Sequence, residues 1–208
     1  MPPASTDTRI EIRPESSYFL LRLVSEDSTN RLTRACVLAL TESIANLKSE
    51  ARPLIIAGNP HFFSAGADLS EIRSLEGPTA YEFAKAGQRL MRAIAHFPAP
   101  VYAAIQGYCM GGGLDLALAC HRRIASPHAI FGHRGAALGL MTGWGGTQRL
   151  PRLVGRARAL EIFVAAEKIR ARDALAIRLV DAVVEDPVEE IVRQLQMPST
   201  MPSHANMG

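Results

Sequence analysis

Long apolar runs, paired cysteines and lysines are scarce in this 208-residue sequence, and each scarcity excludes a class of protein. No run of 18 apolar residues occurs, and the first residues, MPPASTDTR, lack the apolar core of a secretion signal. We therefore expect a soluble, cytoplasmic protein without a membrane partner. The three cysteines, Cys36, Cys109 and Cys120, lack CxxC spacing, so we expect neither a metal site nor a disulfide framework.

Positive charge is also limited, because the net charge is +3 and only three of the 23 basic residues are lysines. Nucleic-acid binding usually requires a clustered basic face, so we expect no nucleic-acid partner, whereas a small anionic ligand fits this mild charge. The glycine patterns of dinucleotide-binding and P-loop proteins are absent, and so is the GxSxG motif. These absences argue against a dinucleotide enzyme and against a serine hydrolase.

Hydrophobic residues make up 48% of the chain, which is enough to bury a core, and their periodicity predicts alternating strands and helices. The predicted strands cover residues 10–13, 18–24, 54–58, 100–105, 122–126 and 129–132, and the predicted helices cover 32–47, 78–96, 112–120, 147–155, 158–169 and 188–195. This alternation predicts an α/β fold with a partly parallel sheet. We interpret residues 1–8 as a flexible arm, 9–197 as one domain and 198–208 as a disordered tail.

The most informative segment is a glycine triplet, Gly111 to Gly113, which follows the apolar run PVYAAI and begins a predicted helix. A helix start exposes unpaired backbone N–H groups and the positive end of the helix dipole. Glycines allow a ligand to approach these groups closely. The segment therefore predicts an anion site or an oxyanion site built from backbone.

Three segments together resemble the crotonase superfamily of enoyl-CoA hydratases and isomerases: HFFSAGADLSEI, PVYAAIQGYCMGGGLDLALAC and IFGHRGAALGLMTGWGGTQRLPRLVG. The resemblance extends from about Phe19 to Val184. It implies an α/β spiral of ββα repeats, the ClpP/crotonase-like fold, and an acyl-CoA thioester as substrate. It implies no cofactor other than the coenzyme A of that substrate, and a homotrimer or hexamer. Little chain follows Val184, so we expect a shortened C-terminal helical region, which argues against the standard assembly.

The resemblance also implies a site. The backbone N–H groups of Ala67 and Gly112 would hold the thioester oxygen, because an enolate places negative charge there. The implied substrate-binding residues are Ser64, Ala65, Gly66, Ala67, Asp68, Leu69, Gly111, Gly112 and Gly135.

The acid/base residues depart from the family pattern. Asp115 falls at the first of two acidic positions, but the second falls on Gly135, and a further acid found in some members falls on Gly143. His133 is one candidate to replace the second acid, because it would share a face with Gly135 if residues 131–135 are extended and because imidazole titrates near neutral pH. A bound anion or water beside Gly135 is the other candidate.

Structural roles compete with these catalytic ones. Asp115 is also suited to complement the helix dipole as a first-turn acid. Asp68 is better interpreted as a helix N-cap, with Glu71 completing a capping box. We therefore expect an enoyl-CoA hydratase/isomerase-like enzyme, with a catalytically impaired acyl-CoA-binding or accessory subunit as the alternative.

Overall fold

A computed structural model of the chain describes residues 7–197. Residues 1–6 of the predicted arm and the whole predicted tail, 198–208, lie outside the described residues. The strands are β1 (Arg9–Pro14), β2 (Phe19–Val24), β3 (Arg31–Leu32), β4 (Leu54–Ala57), β5 (Phe62–Ser64), β6 (Gly66–Ala67), β7 (Val101–Ile105), β8 (Tyr108–Met110), β9 (Arg122–Ala125), β10 (Ile130–Gly132), β11 (Ile169–Arg170) and β12 (Ala182–Val183). The helices are α1 (Arg34–Leu47), α2 (Leu69–Arg73), α3 (Gly77–Ala95), α4 (Gly112–Ala119), α5 (Gly146–Val154), α6 (Arg156–Ala165), α7 (Ala171–Ala176) and α8 (Pro187–Gln196).

The largest sheet has six strands in the order β1-β2-β4-β7-β9-β12. β1 pairs antiparallel with β2, as the sequence predicts, and the other neighbouring strands pair in parallel. Every residue of β4 and β7 is buried, which is typical of parallel strands covered on both faces. α8 covers one face through Ile191, and the main core, which includes residues of α1, α3 and α4, lies on the other.

A second sheet has the order β11-β10-β8-β5, and β3 pairs with β6 in a small third sheet. Sequence periodicity missed several of these strands because they are two or three residues long, too short to show an alternating pattern. They matter for function, since β6 carries Ala67, β8 leads directly into the glycine triplet, and β10 ends one residue before His133.

Three local predictions are corrected by the structure. Leu32 lies in β3 rather than on α1, whose N-cap is Thr33, with the Cys36 N–H donating to the Thr33 hydroxyl at 3.1 Å. Asp68 caps α2 as expected, but Glu71 does not complete its capping box, because the Glu71 carboxylate accepts the Arg34 N–H at 2.8 Å.

The third correction concerns Thr8, which is buried and donates to the carbonyl oxygen of Arg31 at 2.6 Å. It therefore belongs with the folded domain rather than with the flexible arm.

Between residues 7 and 197, no helix combines the length and the hydropathy that a bilayer crossing requires. The same part of the chain contains no cluster of three or more histidine, cysteine or acidic residues that could bind a metal ion.

Candidate active site

A cavity of about 560 Å³ lies where α2, α3, the start of α4 and the loop after β10 meet. Its volume is within the range of small-molecule sites, and its wall is mostly apolar. The lining residues are Ala65, Ala67, Leu69, Ile72, Leu75, Phe83, Ala84, Met110, Gly111, Gly112, Asp115, His133, Arg134, Gly135, Ala137, Leu138, Leu140, Met141, Thr142, Gly143 and Trp144. Among these residues Asp115 is the single carboxylate.

Two backbone segments approach each other at one wall of this cavity. Gly66 has φ of +94°, and a Cβ there would lie 2.5 Å from the Met110 oxygen and 2.9 Å from the Gly112 nitrogen. Only glycine therefore lets β6 approach the start of α4 this closely. The position of a Cβ on Gly112 lies 3.1 Å from the Ala67 nitrogen, so Ala67 and Gly112 are neighbours.

Gly112 is the first residue of α4, so the helix itself offers no acceptor for its N–H group. Gly111 before it has φ of +51° and donates its own N–H to the carbonyl oxygen of Gly132, which fixes the turn. The positive end of the α4 dipole also lies here. The arrangement can hold a negatively charged oxygen beside Ala67 and Gly112.

Asp115 extends from the first turns of α4 into the cavity and is 2% exposed. Its Oδ2 atom accepts a hydrogen bond from the Thr142 hydroxyl. Its Oδ1 atom lies 3.4 Å from Nε2 of His133, which is 5% exposed. Neither Oδ1 nor Nε2 has a hydrogen-bond partner among residues 7–197. Unsatisfied buried polar atoms are costly, and at 3.4 Å these two atoms are within ion-pair distance of each other.

Two parts of α5 lie close to Asp115. The start of α5 lies against it, because a Cβ on Gly146 would be 2.2 Å from Oδ1. The half-buried Arg149 guanidinium of α5 donates to the Trp144 carbonyl oxygen at 3.1 Å. Burial lowers the pKa of Arg149, and the nearby charge of Asp115 opposes that effect.

The structure corrects the expectation that residues 131–135 form one extended strand. β10 ends at Gly132, and Gly135 has helical angles, φ −55° and ψ −45°, at the start of a tight turn. The N–H groups of Leu138 and Leu140 both donate to the Gly135 carbonyl oxygen, at 2.8 Å each. A Cβ on Gly135 would lie 2.7 Å from the Leu140 oxygen, so this turn leaves no room for a glutamate.

Of the predicted substrate-binding residues, six line the cavity: Ala65, Ala67, Leu69, Gly111, Gly112 and Gly135. The four predicted catalytic residues, Ala67, Gly112, Asp115 and His133, all line it as well. The structure thus brings together the residues on which the proposed chemistry depends.

Ser64, Gly66 and Asp68 are not in the cavity wall. The Ser64 hydroxyl donates to the Asn30 carbonyl oxygen at 2.7 Å. Asp68 caps α2 and lies 3.5 Å from the Arg31 guanidinium. Burial alone would raise the pKa of Asp68, but hydrogen bonds and the Arg31 charge hold it below its usual value. Gly66 allows β6 to approach the start of α4 closely.

Sequence reasoning missed the bond between Thr142 and Asp115, since 27 residues separate them and no pattern joins a loop threonine to a helix acid. It also missed the apolar wall supplied by α2 and α3, including Ile72, Leu75 and Phe83. The apolar spacing of α3 was visible in the sequence, but which side chains face a cavity was not. Trp144 is 4% exposed and packs 5.3 Å from Phe83, so it is both core and cavity wall.

The layered α/β architecture and the position of the cavity define a protein of the crotonase fold, the spiral of ββα repeats. A sequence model of the family described as enoyl-CoA hydratase/isomerase matches residues 15–202. Over 165 residues, the chain is 43% identical to a protein of Bacillus subtilis strain 168 named probable enoyl-CoA hydratase. The chain therefore belongs to the enoyl-CoA hydratase/isomerase family.

The match to the B. subtilis protein covers 78% of this chain and 64% of that relative, so the chain spans less than two thirds of its length. Solved structures agree with the family. DspI from Pseudomonas aeruginosa is 32% identical with a TM-score of 0.85, covering 94% of this chain and 76% of that one. An enoyl-CoA hydratase from Bacillus anthracis has the same identity and TM-score, covering 90% and 75%.

Proposed function

We propose that this protein is an enzyme of the hydratase/isomerase type that acts on an unsaturated acyl-CoA thioester through an enolate. The observation that carries the proposal is the facing pair of buried, unpartnered atoms, Asp115 Oδ1 and His133 Nε2, at 3.4 Å. Two proton-transfer groups lie inside an apolar cavity whose wall also contains Ala67 and Gly112. Family membership supplies the substrate class.

The backbone of Ala67 and Gly112 binds the thioester oxygen in this proposal. Negative charge develops on that oxygen as the enolate forms, and two fixed donors stabilise it without reorganisation. Loss of one such donor costs about 3 kcal/mol of transition-state stabilisation. The apolar wall, which includes Phe83 and Trp144, excludes water around the acyl chain and strengthens these hydrogen bonds.

Asp115 and His133 move the proton. In hydration, Asp115 Oδ1 accepts a proton from the water whose oxygen bonds to the β-carbon, and His133 Nε2 makes a second hydrogen bond to that water. The same pair returns the proton to the α-carbon as the enolate collapses. In isomerisation, the pair removes a γ-proton and delivers it to the α-carbon. General acid/base groups of this kind typically contribute 10²- to 10⁴-fold each.

The first experiment is incubation with crotonyl-CoA in D₂O, with the products identified by mass spectrometry. Gain of water together with a carbon-bound deuterium indicates hydration. Deuterium without water indicates isomerase-type enolate chemistry, and free coenzyme A would indicate thioester hydrolysis instead.

Two variants distinguish a catalytic role of Asp115 from a general effect on the fold. We expect Asp115→Asn to lower turnover by at least about 100-fold. Asp68→Asn is the matched control, because Asp68 is a buried carboxylate outside the cavity wall and asparagine is also a good N-cap. No turnover by the native protein on short-, medium- and long-chain enoyl-CoA substrates would contradict the proposal. Full activity of Asp115→Asn would contradict the role given to Asp115.

Assembly and location form a second, coarser part of the proposal. Leu160 and Val164 on α6 are 64% and 68% exposed, which is consistent with contacts between copies in a homotrimer or hexamer. Light scattering of the purified protein tests this directly. The three cysteines are free and buried, which is consistent with a reducing cytoplasm. The proposed acyl-CoA substrate is consistent with a place in fatty-acid metabolism.

A further inference from the structure

The two oxygens of the Asp115 carboxylate have different surroundings. Oδ2 accepts the Thr142 hydroxyl, whereas Oδ1 has no hydrogen-bond partner among residues 7–197 and faces His133. Thr142 lies in the loop between the Gly135 turn and α5, outside the helix that carries Asp115. The difference between the two oxygens is therefore imposed by a residue outside the helix that carries the carboxylate.

The direction of the Thr142 hydrogen bond follows from its second contact. The backbone N–H of Trp144 donates to Thr142 Oγ1 at 3.4 Å. A hydroxyl has one hydrogen, and an ionised carboxylate can only accept. The Thr142 hydrogen is consequently directed to Oδ2, and the Trp144 N–H helps to hold the hydroxyl in that orientation.

We propose that Thr142 is a positioning residue that holds Oδ2 of Asp115 and leaves Oδ1 as the oxygen that exchanges the proton with substrate. This inference rests on the proposed function, because it assigns the two oxygens of the proton-transfer group that the function requires. A donor to the carboxylate favours its ionised form. It also restricts rotation of the carboxylate, so that Oδ1 stays opposite His133 Nε2.

Several charged or titratable groups face Asp115, and none of them duplicates this contact. His133 approaches from the chain after β10, at the side of Oδ1. Arg149 on α5 contributes a positive charge without a hydrogen bond to the carboxylate. On β8, burial raises the pKa of the Cys109 thiol well above its usual value, with the charge of Asp115 adding to the effect, so the thiol stays neutral. Among the side chains of residues 7–197, the Thr142 hydroxyl is the one hydrogen-bond donor to the Asp115 carboxylate.

The test compares Thr142→Val, which keeps the shape and removes the hydroxyl, with Thr142→Ser, which keeps the hydroxyl. We expect Thr142→Val to lower kcat by about 10- to 100-fold with little change in KM, because a hydrogen bond to a charged group is lost. The Thr142 donor to the carboxylate is then absent, so we expect the acid limb of the pH–kcat profile to move to higher pH.

Thr142→Ser should restore kcat to within about threefold of the native value and return the pH profile to its native position. The control is Thr41→Val, because the Thr41 hydroxyl donates to the Val37 carbonyl oxygen on α1, away from the cavity. We expect native kcat and an unshifted profile for that control.

The outcomes distinguish this inference from the proposed function. Loss of turnover in Asp115→Asn with an unchanged rate and pH profile in Thr142→Val would overturn the role of Thr142 and leave the function standing. Equal losses in Thr142→Val and Thr142→Ser, together with a lowered Tm and no pH shift, would show a merely structural role and also overturn it. Native protein without turnover on any enoyl-CoA would overturn the function itself.

Discussion

Substitution of Gly146 tests whether the position of Asp115 matters for turnover. Gly146 begins α5 and has an ordinary negative φ, so alanine is compatible with its backbone and with the helix. The added Cβ, however, would lie 2.2 Å from Asp115 Oδ1 and 2.9 Å from Thr142 Cγ2. Relief of the first overlap requires Oδ1 and the new Cβ to separate by about 1 Å, in the volume where the proton is exchanged.

The expected effect therefore falls on both rate and stability. A misplacement of about 1 Å can cost about 100-fold in rate, so we expect kcat of Gly146→Ala to fall by that order. Overpacking of this size costs about 1–3 kcal/mol of folding free energy, which leaves the protein folded. The assay is steady-state turnover of the substrate found in the D₂O experiment, together with thermal unfolding by circular dichroism.

Gly143→Ala is the matched control from the same loop. A Cβ on Gly143 would meet only the Cβ of Ala84, at an ordinary 3.6 Å, so we expect less than about a twofold change in kcat. A native kcat and an unchanged Tm for Gly146→Ala would refute the claim that turnover depends on the position of Asp115 Oδ1. This result would show that Oδ1 can move by about 1 Å without affecting the reaction, which is incompatible with a direct proton-transfer role.

Two further predictions concern the missing second acid and the buried thiols. Gly135→Glu should not raise kcat and should lower stability by about 1–3 kcal/mol, as measured by urea unfolding, because its Cβ would lie 2.7 Å from the Leu140 oxygen. Burial raises the pKa of Cys36 and of Cys120 from 9.0 to about 12. Below pH 9 these thiols are neutral in the folded and the unfolded state, whereas between pH 9 and about 12 they ionise only in the unfolded chain. The free energy of unfolding therefore falls by up to about 1.4 kcal/mol per pH unit for each thiol. Denaturant unfolding from pH 8 to pH 11 measures this fall.

Each of these predictions has a control. Gly143→Glu places the same carboxylate where the added Cβ would make only an ordinary contact, 3.6 Å from the Ala84 Cβ, so it should unfold at nearly the native urea concentration. A faster reaction in Gly135→Glu would contradict the tight turn described for that segment. The Cys36→Ala/Cys120→Ala double variant should lose less stability between pH 8 and pH 11 than the native protein, and an equal loss would contradict the raised thiol pKa values.

The larger elements were predictable because their patterns are long. The strand pair over 9–14 and 19–24, and the helix that contains Cys36, Leu40 and Ile44, follow from hydrophobic spacing alone. Most strands of two or three residues were not predictable, because their pairing partners, not their own residues, make them strands. Ala67 lies on one of them. β10 is an exception, since residues 129–132 were predicted as a strand.

The candidate site was predictable only in part. The glycine triplet and Asp115 share one short segment, so their proximity is a local property of a helix start. Thr142 could not be assigned from sequence, since its partner lies 27 residues away. The expectation that Gly135 shares an extended strand with His133 was wrong because two hydrogen bonds to the Gly135 carbonyl oxygen fold the chain into a turn.

By itself the sequence determined the α/β class, the helix that begins at the glycine triplet, and the presence of one acid where the family resemblance implies two. Those properties depend on residue types and short spacings. Only the tertiary structure decided that Asp115 Oδ1 faces His133, that Thr142 holds the other oxygen, and that the Leu140 backbone fills the place of the second acid. The physical reason is that hydrogen-bond direction and close packing depend on distances between segments far apart in the chain, which no local pattern encodes.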